Sequence, residues 1–155
     1  YADEGVELRK AGITVPIMVM NPEEDSYDAM IQYNLEPEIF SFRVLQLFEQ
    51  ALKRILPDNR TPVAIHIKLD TGMRRLGFEE HEINELIVRI KNNKQLQIKS
   101  VFSHLAASDE LEHADFTNYQ INLFEKISTL IGTHFDYPIL KHILNSAGIS
   151  NYAYA

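Results

Sequence analysis

The stretch Val63-Ala64-Ile65-His66-Ile67-Lys68-Leu69-Asp70 constrains the fold more than any other part of this chain. Side chains alternate across a β-strand, so Val63, Ile65, Ile67 and Leu69 share one face while Ala64, His66, Lys68 and Asp70 share the other. A central strand of a doubly wound sheet is covered by helices on both faces and reads apolar almost throughout. Residues such as His66, Lys68 and Asp70 sit badly under a packed helix. They suit the interior of a (β/α)₈ barrel, whose strands meet helices outside and turn polar inside toward the C-terminal rim, where active sites lie.

Strand and helix patterns alternate on both sides of this stretch. Val6, Leu8 and Arg9 followed by Gly12 mark the latter part of a helix, and Pro16 to Met20, closed by Asn21-Pro22, reads as a buried strand. Glu23 to Gln32 reads as helix and Glu36 to Ser41 as a short strand. Val44, Leu45, Phe48, Ala51, Leu52 and Ile55 form one helix face, ended by Pro57-Asp58-Asn59. Ile83, Leu86, Ile87 and Ile90 mark the next helix, and Ile98 to Leu105 a fourth strand. Phe116, Tyr119, Leu123, Phe124, Ile127 and Leu130 give a further helix its stripe, with Gly132 at its end. Ile139 to Leu144 then makes a fifth strand running into Asn145-Ser146-Ala147-Gly148. A parallel pair needs a long connection that a helix fills, so the alternation implies right-handed crossovers and a parallel sheet. At roughly 30 residues per βα unit, the chain holds about five of a barrel's eight units. The expected fold is an α/β, partial (β/α)₈ TIM barrel, and the abrupt ends at Tyr1 and Ala155 are those expected of a piece of a longer protein.

Composition removes several classes of function. With 45% hydrophobic and 24% charged residues the chain packs as an ordinary globular domain. A net charge of −7 without a local basic patch argues against nucleic acid and anionic lipid as partners. The longest apolar run is far below the roughly 20 residues of a membrane span. Cysteine is absent, which removes disulfides, thiol catalysis and most zinc sites and is compatible with a reducing compartment.

Chemistry gathers where the third strand ends, at Lys68-Leu69-Asp70-Thr71-Gly72-Met73-Arg74-Arg75-Leu76-Gly77. Lys68 and Asp70 lie on one strand face, and a turn at Gly72 can fold Arg75 back toward Lys68. Two cations that close are unfavourable unless something neutralises one, and a plain Lys68–Asp70 pair is the simpler alternative. His104 closes the fourth strand, where a histidine is either functional or merely hydrogen-bonded. Asn145 and Ser146 precede small residues that let amides and a hydroxyl approach a phosphate, or else cap a helix. His81-Glu82-Ile83-Asn84-Glu85 lacks the second histidine of a metalloprotease helix and reads as a solvated face, so no metal is expected. Asn59-Arg60-Thr61 is a glycosylation sequon that reads as a loop. His113, with Asp109 and Glu110, reads as a hydrophilic loop over the rim.

The stretch from Lys68 to Gly77 resembles the K-x-D-T-G-M-x-R-L-G signature of the alanine racemases, pyridoxal-phosphate (PLP) enzymes with a (β/α)₈ barrel and a separate C-terminal β domain. Other segments follow in family order. Glu4 to Ile13 is similar to E-x-x-x-L-R-x-A-G-I, Pro16 to Met20 to the third barrel strand, and Phe102 to Ala106 to the F-T-H-x-A strand. Gln120 to Phe124 matches the following helix, and His142 to Ala147 resembles the H-x-x-N-S-A strand. Arg74 replaces a residue usually small, Ser103 a threonine, and Gly148 a common alanine.

The resemblance implies PLP as cofactor and assigns roles. Lys68 matches a lysine that is often carbamylated, becoming an anion that holds Arg75 against the cofactor's phenolic oxygen, with Asp70 in support. His104 lies under the ring and orients an arginine that faces the pyridine nitrogen. Ser146 contacts the phosphate and Asn145 supports it. No catalytic residue is expected on this chain. The Schiff-base lysine of the K-A-N-A-Y-G-H-G motif, the eighth-strand arginine and the tyrosine brought by a partner subunit have no match in it. Residues 1–155 are thus expected to be an internal fragment of the barrel domain, without its first two strands, its eighth strand and the β domain, and to be inactive alone. The implied parent is a cytoplasmic homodimer that interconverts L- and D-alanine and supplies D-alanine for peptidoglycan, with fusion to a cell-wall ligase as a further expectation. Two other readings stay open: another barrel-type PLP racemase or decarboxylase, and a non-catalytic binding or structural module.

Overall fold

The computed structural model describes residues 1–57 and 61–155. Strands β1 (Met18–Val19), β2 (Glu36–Ile39), β3 (Val63–Lys68), β4 (Leu96–Phe102) and β5 (Leu140–His142) form one sheet in the order β1-β2-β3-β4-β5, and every neighbouring pair is parallel. Helices α2 (Tyr27–Gln32), α3 (Phe42–Ile55), α4 (Ile83–Asn92) and α5 (Ala114–Gly132) fill the successive crossovers, with α1 (Ala2–Lys10) before and α6 (Ser146–Asn151) after. A doubly wound sheet must reverse its strand order at one point. Here the order never reverses, so right-handed crossovers lay all the helices on one face and leave the other as the inside of a barrel wall.

The core lies between sheet and helices. Ile65, Ile67 and Leu69 are buried on the helix side, as are Ile83, Leu86, Ile87 and Ile90 of α4 and Val44, Leu45, Phe48, Ala51 and Leu52 of α3. Helix α3 starts where the Ser41 hydroxyl accepts the Val44 amide at 3.3 Å. Arg9 ties the N-terminal helix to the loops that lead into β1 and β2: its guanidinium donates to the carbonyls of Ile13 (2.8 Å), Val15 (2.7 Å), Tyr33 (3.1 Å) and Asn34 (2.9 Å). No described helix is long and apolar enough to cross a membrane.

Two expectations change, and a third falls largely on residues outside the described ones. The first strand shrinks to Met18–Val19, because Pro16 has no amide to give to a ladder. Helix α5 is rotated from its expected phase: Phe116, Tyr119 and Leu130 are exposed, while Thr117, Gln120, Ile121 and Ile131 are buried. Thr117 and Gln120 turn inward because they bond loop backbone, Thr117 to the Ala107 carbonyl and Gln120 to the Ala106 amide and His104 carbonyl. The proposed helix stop at Pro57-Asp58-Asn59 and the sequon Asn59-Arg60-Thr61 lie largely outside the described residues; α3 itself ends at Ile55.

A β-bulge sets which residues face inward. Ile65 pairs with Ile98, but His66 pairs with Ser100, so Lys99 is one extra residue on β4. Beyond it Val101 joins Ile67 on the helix side, while Ser100 and Phe102 join His66 and Lys68 inside. Ile67 lies between Ile39 and Val101 in register and is fully buried. Ile67→Ala is expected to cost about 2–5 kcal/mol of stability, read from the midpoint of urea unfolding.

Candidate functional site

The inner wall carries polar side chains where most barrels place branched aliphatics. At its lower level Glu36, His66, Ser100 and His142 form a chain. His66 Nε2 lies 2.7 Å from Glu36 Oε2, His66 Nδ1 2.7 Å from Ser100 Oγ, and Ser100 Oγ 3.2 Å from His142 Nε2. One proton arrangement satisfies all three contacts with both rings neutral: His142 Nε2–H donates to Ser100, Ser100 O–H to His66 Nδ1, and His66 Nε2–H to Glu36. Burial holds His66 below the usual histidine range despite the carboxylate beside it; His142, an exposed residue whose ring is covered on one side by Phe102, is lowered by desolvation of the ring and then by His66 and Lys68.

One level up sit Lys68 and Phe102, paired in register. The Lys68 ammonium lies 4.6 Å from the centre of the Phe102 ring and 3.9 Å from Glu38 Oε1. Phe102 stacks on His142 with centroids 4.9 Å apart. Burial lowers the Lys68 pKa; Glu38 opposes this, and Arg75 adds to it. The simple Lys68–Asp70 pair is therefore replaced by a Lys68–Glu38 pair.

Asp70 works on the rim loop instead. Its Oδ1 accepts the amides of Gly72 at 2.8 Å and Arg74 at 3.0 Å. The loop closes by an isolated parallel bridge between Leu69 and Phe78, with the Phe78 amide donating to the Lys68 carbonyl at 2.9 Å. This return passes so close to the strand that a Cβ on Gly77, at φ +132°, would lie 2.4 Å from the Asp70 nitrogen. Arg74, in the left-handed region at φ 53°, completes the turn. Arg75 is exposed on it and makes no hydrogen bond or ion pair among the described residues. Its field nonetheless reaches Lys68 and His104.

His104 is half-buried beyond β4, its carbonyl held by Gln120 at 3.2 Å. Burial first, then the cations Lys68 and Arg75, hold its ring below the usual range, so it is neutral at pH 7. Asn145 caps α6: its Oδ1 accepts the Gly148 amide at 2.8 Å and the Ser108 hydroxyl at 2.7 Å. Ser146 follows, exposed, at the helix start. The structure thus gathers Lys68, Arg75 and His104 at one rim and seats Asn145 and Ser146 at the start of the helix after β5. His81 and His113 lie exposed on the surface near Glu79 and Glu112.

The family model described as alanine racemase, N-terminal domain, matches residues 1–155. The chain belongs to the alanine racemase family. Among curated relatives, the alanine racemase of Prochlorococcus marinus is 36% identical over 151 residues, covering 94% of this chain and 38% of its own length. That of Geobacter sp. (strain M21) is 34% identical over 154 residues, covering 96% and 40%. The solved alanine racemase of Clostridium difficile 630 superposes with a TM-score of 0.82 at 26% identity, over 97% of this chain and 38% of that one. The enzyme from Oenococcus oeni gives 0.72 at 29%, over 94% and 36%. The chain spans about two fifths of the length of these alanine racemases.

Sequence reasoning missed Glu36, Glu38, Ser100 and the inward role of His142. Glu36 and Glu38 were legible in principle, since two carboxylates at alternate positions of a buried strand must share one face. Ser100 was not, because the bulge inverts its face.

Two outcomes follow from this geometry. Gly77→Ala should cost more than about 1 kcal/mol, measured by urea unfolding. The unfolded chain takes up protons on His66, His104 and His142 near their ordinary pKa of about 6.5 while the folded chain resists, so stability rises with pH there. The contribution is complete above about pH 6.5 and is lost below it toward the lower folded values. Unfolding midpoints between pH 7.5 and 5.5 should fall accordingly, less steeply in His66→Gln.

Proposed function

We propose that residues 1–155 form five βα units of the barrel domain of a PLP-dependent alanine racemase. The full-length protein interconverts L- and D-alanine, acts in the cytoplasm as a homodimer and supplies D-alanine for peptidoglycan. The observation that carries this reading is the rim cluster of Lys68, Arg75 and His104, set by a loop with the family's signature and lying within a family match over the whole chain. The same rim fits the cofactor. Arg75 is a cation without an acceptor among the described residues, and at the start of α6 the Gly148 amide is taken by Asn145 while the Ser146 and Ala147 amides have no intrahelical acceptor and stay open to a phosphate.

When bound, the cofactor supplies the electron sink that acidifies the Cα–H bond of an amino acid. Arg75 donates to its phenolic oxygen from a loop fixed by Asp70. His104, neutral, offers a ring nitrogen as acceptor to an arginine without adding positive charge. Ser146 donates its hydroxyl to the phosphate, and Asn145 holds the turn that presents it. Both proton-transfer bases lie outside residues 1–155 by the family pattern, so this stretch alone should not racemise alanine.

In the full-length protein, production of D-alanine from L-alanine is the direct test, and no D-alanine under saturating PLP would overturn the reading. Arg75→Lys keeps a charge but loses the planar fork. Losing one charge-assisted hydrogen bond of roughly 1.5–3 kcal/mol lowers turnover about 10- to 150-fold, with a smaller change in PLP affinity because the phosphate contacts remain. Wild-type turnover in both Arg75→Lys and Arg75→Ala would remove Arg75 from the mechanism.

A further inference from the structure

Glu38 is 1% exposed and lies inside the barrel wall opposite His66. Its Oε2 accepts the Asn21 amide, but its Oε1 is buried with no hydrogen-bond partner among the described residues. What faces that oxygen is the Lys68 ammonium, 3.9 Å away and itself 6% exposed. On its other side Lys68 meets the ring of Phe102 at 4.6 Å. A carboxylate and an aromatic face both favour a cation between them.

A carbamate on Lys68 would reverse every one of these interactions. It forms when the neutral Nζ attacks the carbon of CO₂: an N–C bond is made, one C=O electron pair moves to oxygen, and a proton leaves Nζ for solvent. The product is an anion facing the unpaired Glu38 oxygen and the negative face of a ring. The charges acting on Lys68 are Glu38, Asp70 and Arg75. With an ammonium, two cations balance two carboxylates; with a carbamate, three anions would share the exposed Arg75 alone.

We propose that Lys68 stays an unmodified ammonium in this protein, because the Glu38 carboxylate on β2 holds it as a cation where other members of the family carry a lysine carbamate. This rests on the cofactor-cradle reading above and refines it. Burial by itself frees the Lys68 amine for CO₂, and Glu38, ahead of Asp70, is the main group that opposes it, both by stabilising the ammonium and by repelling the product.

The test is ¹³C NMR of the full-length protein in ¹³C-bicarbonate. Wild type should show no protein-bound carbamate resonance. Glu38→Gln should gain one, raising occupancy by at least about tenfold, a one-unit change in the equilibrium, and adding Lys68→Arg should abolish it. A carbamate resonance in wild type that Lys68→Arg removes overturns the proposal, and so does a folded Glu38→Gln without one. If Glu38→Gln fails to fold, Glu38→Thr replaces it; if neither folds, the wild-type spectrum decides, silence supporting and a resonance refuting. The readout does not involve racemisation. A full-length protein that makes no D-alanine would end the functional reading, and the carbamate resonance would still report the state of Lys68.

Discussion

One extra residue in β4 determines what the inside of this wall can do. Without the bulge at Lys99, strict alternation from Ile98 would send Ser100, Phe102 and His104 to the helix side with Ile98 itself, and Val101 into the interior. The shift after Ile65 instead seats Val101 against Ile67 in the apolar layer and places Ser100 and Phe102 beside His66 and Lys68. Bulges are over-represented near active sites, where they re-aim side chains while bending the strand locally. Here the lower half of β4 serves packing, and its upper half serves the interior.

A polar interior is stable only if its groups are partnered. The lower level meets that condition through direction. Ser100 and His66 each donate one hydrogen bond and accept one, with His142 as the donor at one end and the Glu36 carboxylate as the acceptor at the other, and both rings are held below the usual histidine range so that the series holds at neutral pH. The upper level meets it through charge. Lys68 and Glu38 neutralise each other at 3.9 Å, with Phe102 as the floor, and the carboxylate oxygen without a hydrogen bond is the one that faces the ammonium. A pair of this kind is weak support for stability, but removal of either member leaves an uncompensated buried charge. Its value lies in fixing the charge state at the base of the rim.

The architecture was legible because the two faces of Val63–Asp70 differ so sharply: Ile65 and Ile67 are buried against helices, and His66 and Lys68 point into the wall, where a doubly wound sheet has no room for them. The rim loop was legible because Gly72 and Gly77 both carry positive φ and both face close neighbours, a chemistry that few residues satisfy. Three things escaped. Apolar residues alone do not define the inward stripe of α5, because Gln120 and Thr117 take inward positions to bond the loop after β4. Asp70 looked like the natural partner of Lys68, but its carboxylate is committed to two loop amides. Glu38 shares its strand face with Glu36, a pattern that was legible in principle, but a carboxylate beside a proline in a short strand is easily read as surface, whereas it is 1% exposed.

Asp70, Arg74 and Gly77 together explain why the Arg75 side chain has no hydrogen-bond or ion-pair partner among the described residues. The loop is held by backbone: the Asp70 carboxylate grips two amides, the left-handed residue completes the turn, and the Leu69–Phe78 bridge closes it. No contact of the Arg75 side chain is needed to keep the loop in place. Its guanidinium is thereby left with all its donors for an outside anion, on a backbone that need not rearrange to receive it, which is the condition for electrostatic stabilisation at low reorganisation cost. Lys68 below cannot compete as an anion while Glu38 holds it as a cation, and His104 beside it carries no charge at neutral pH. The positive potential of the rim is therefore aimed outward, through one planar group.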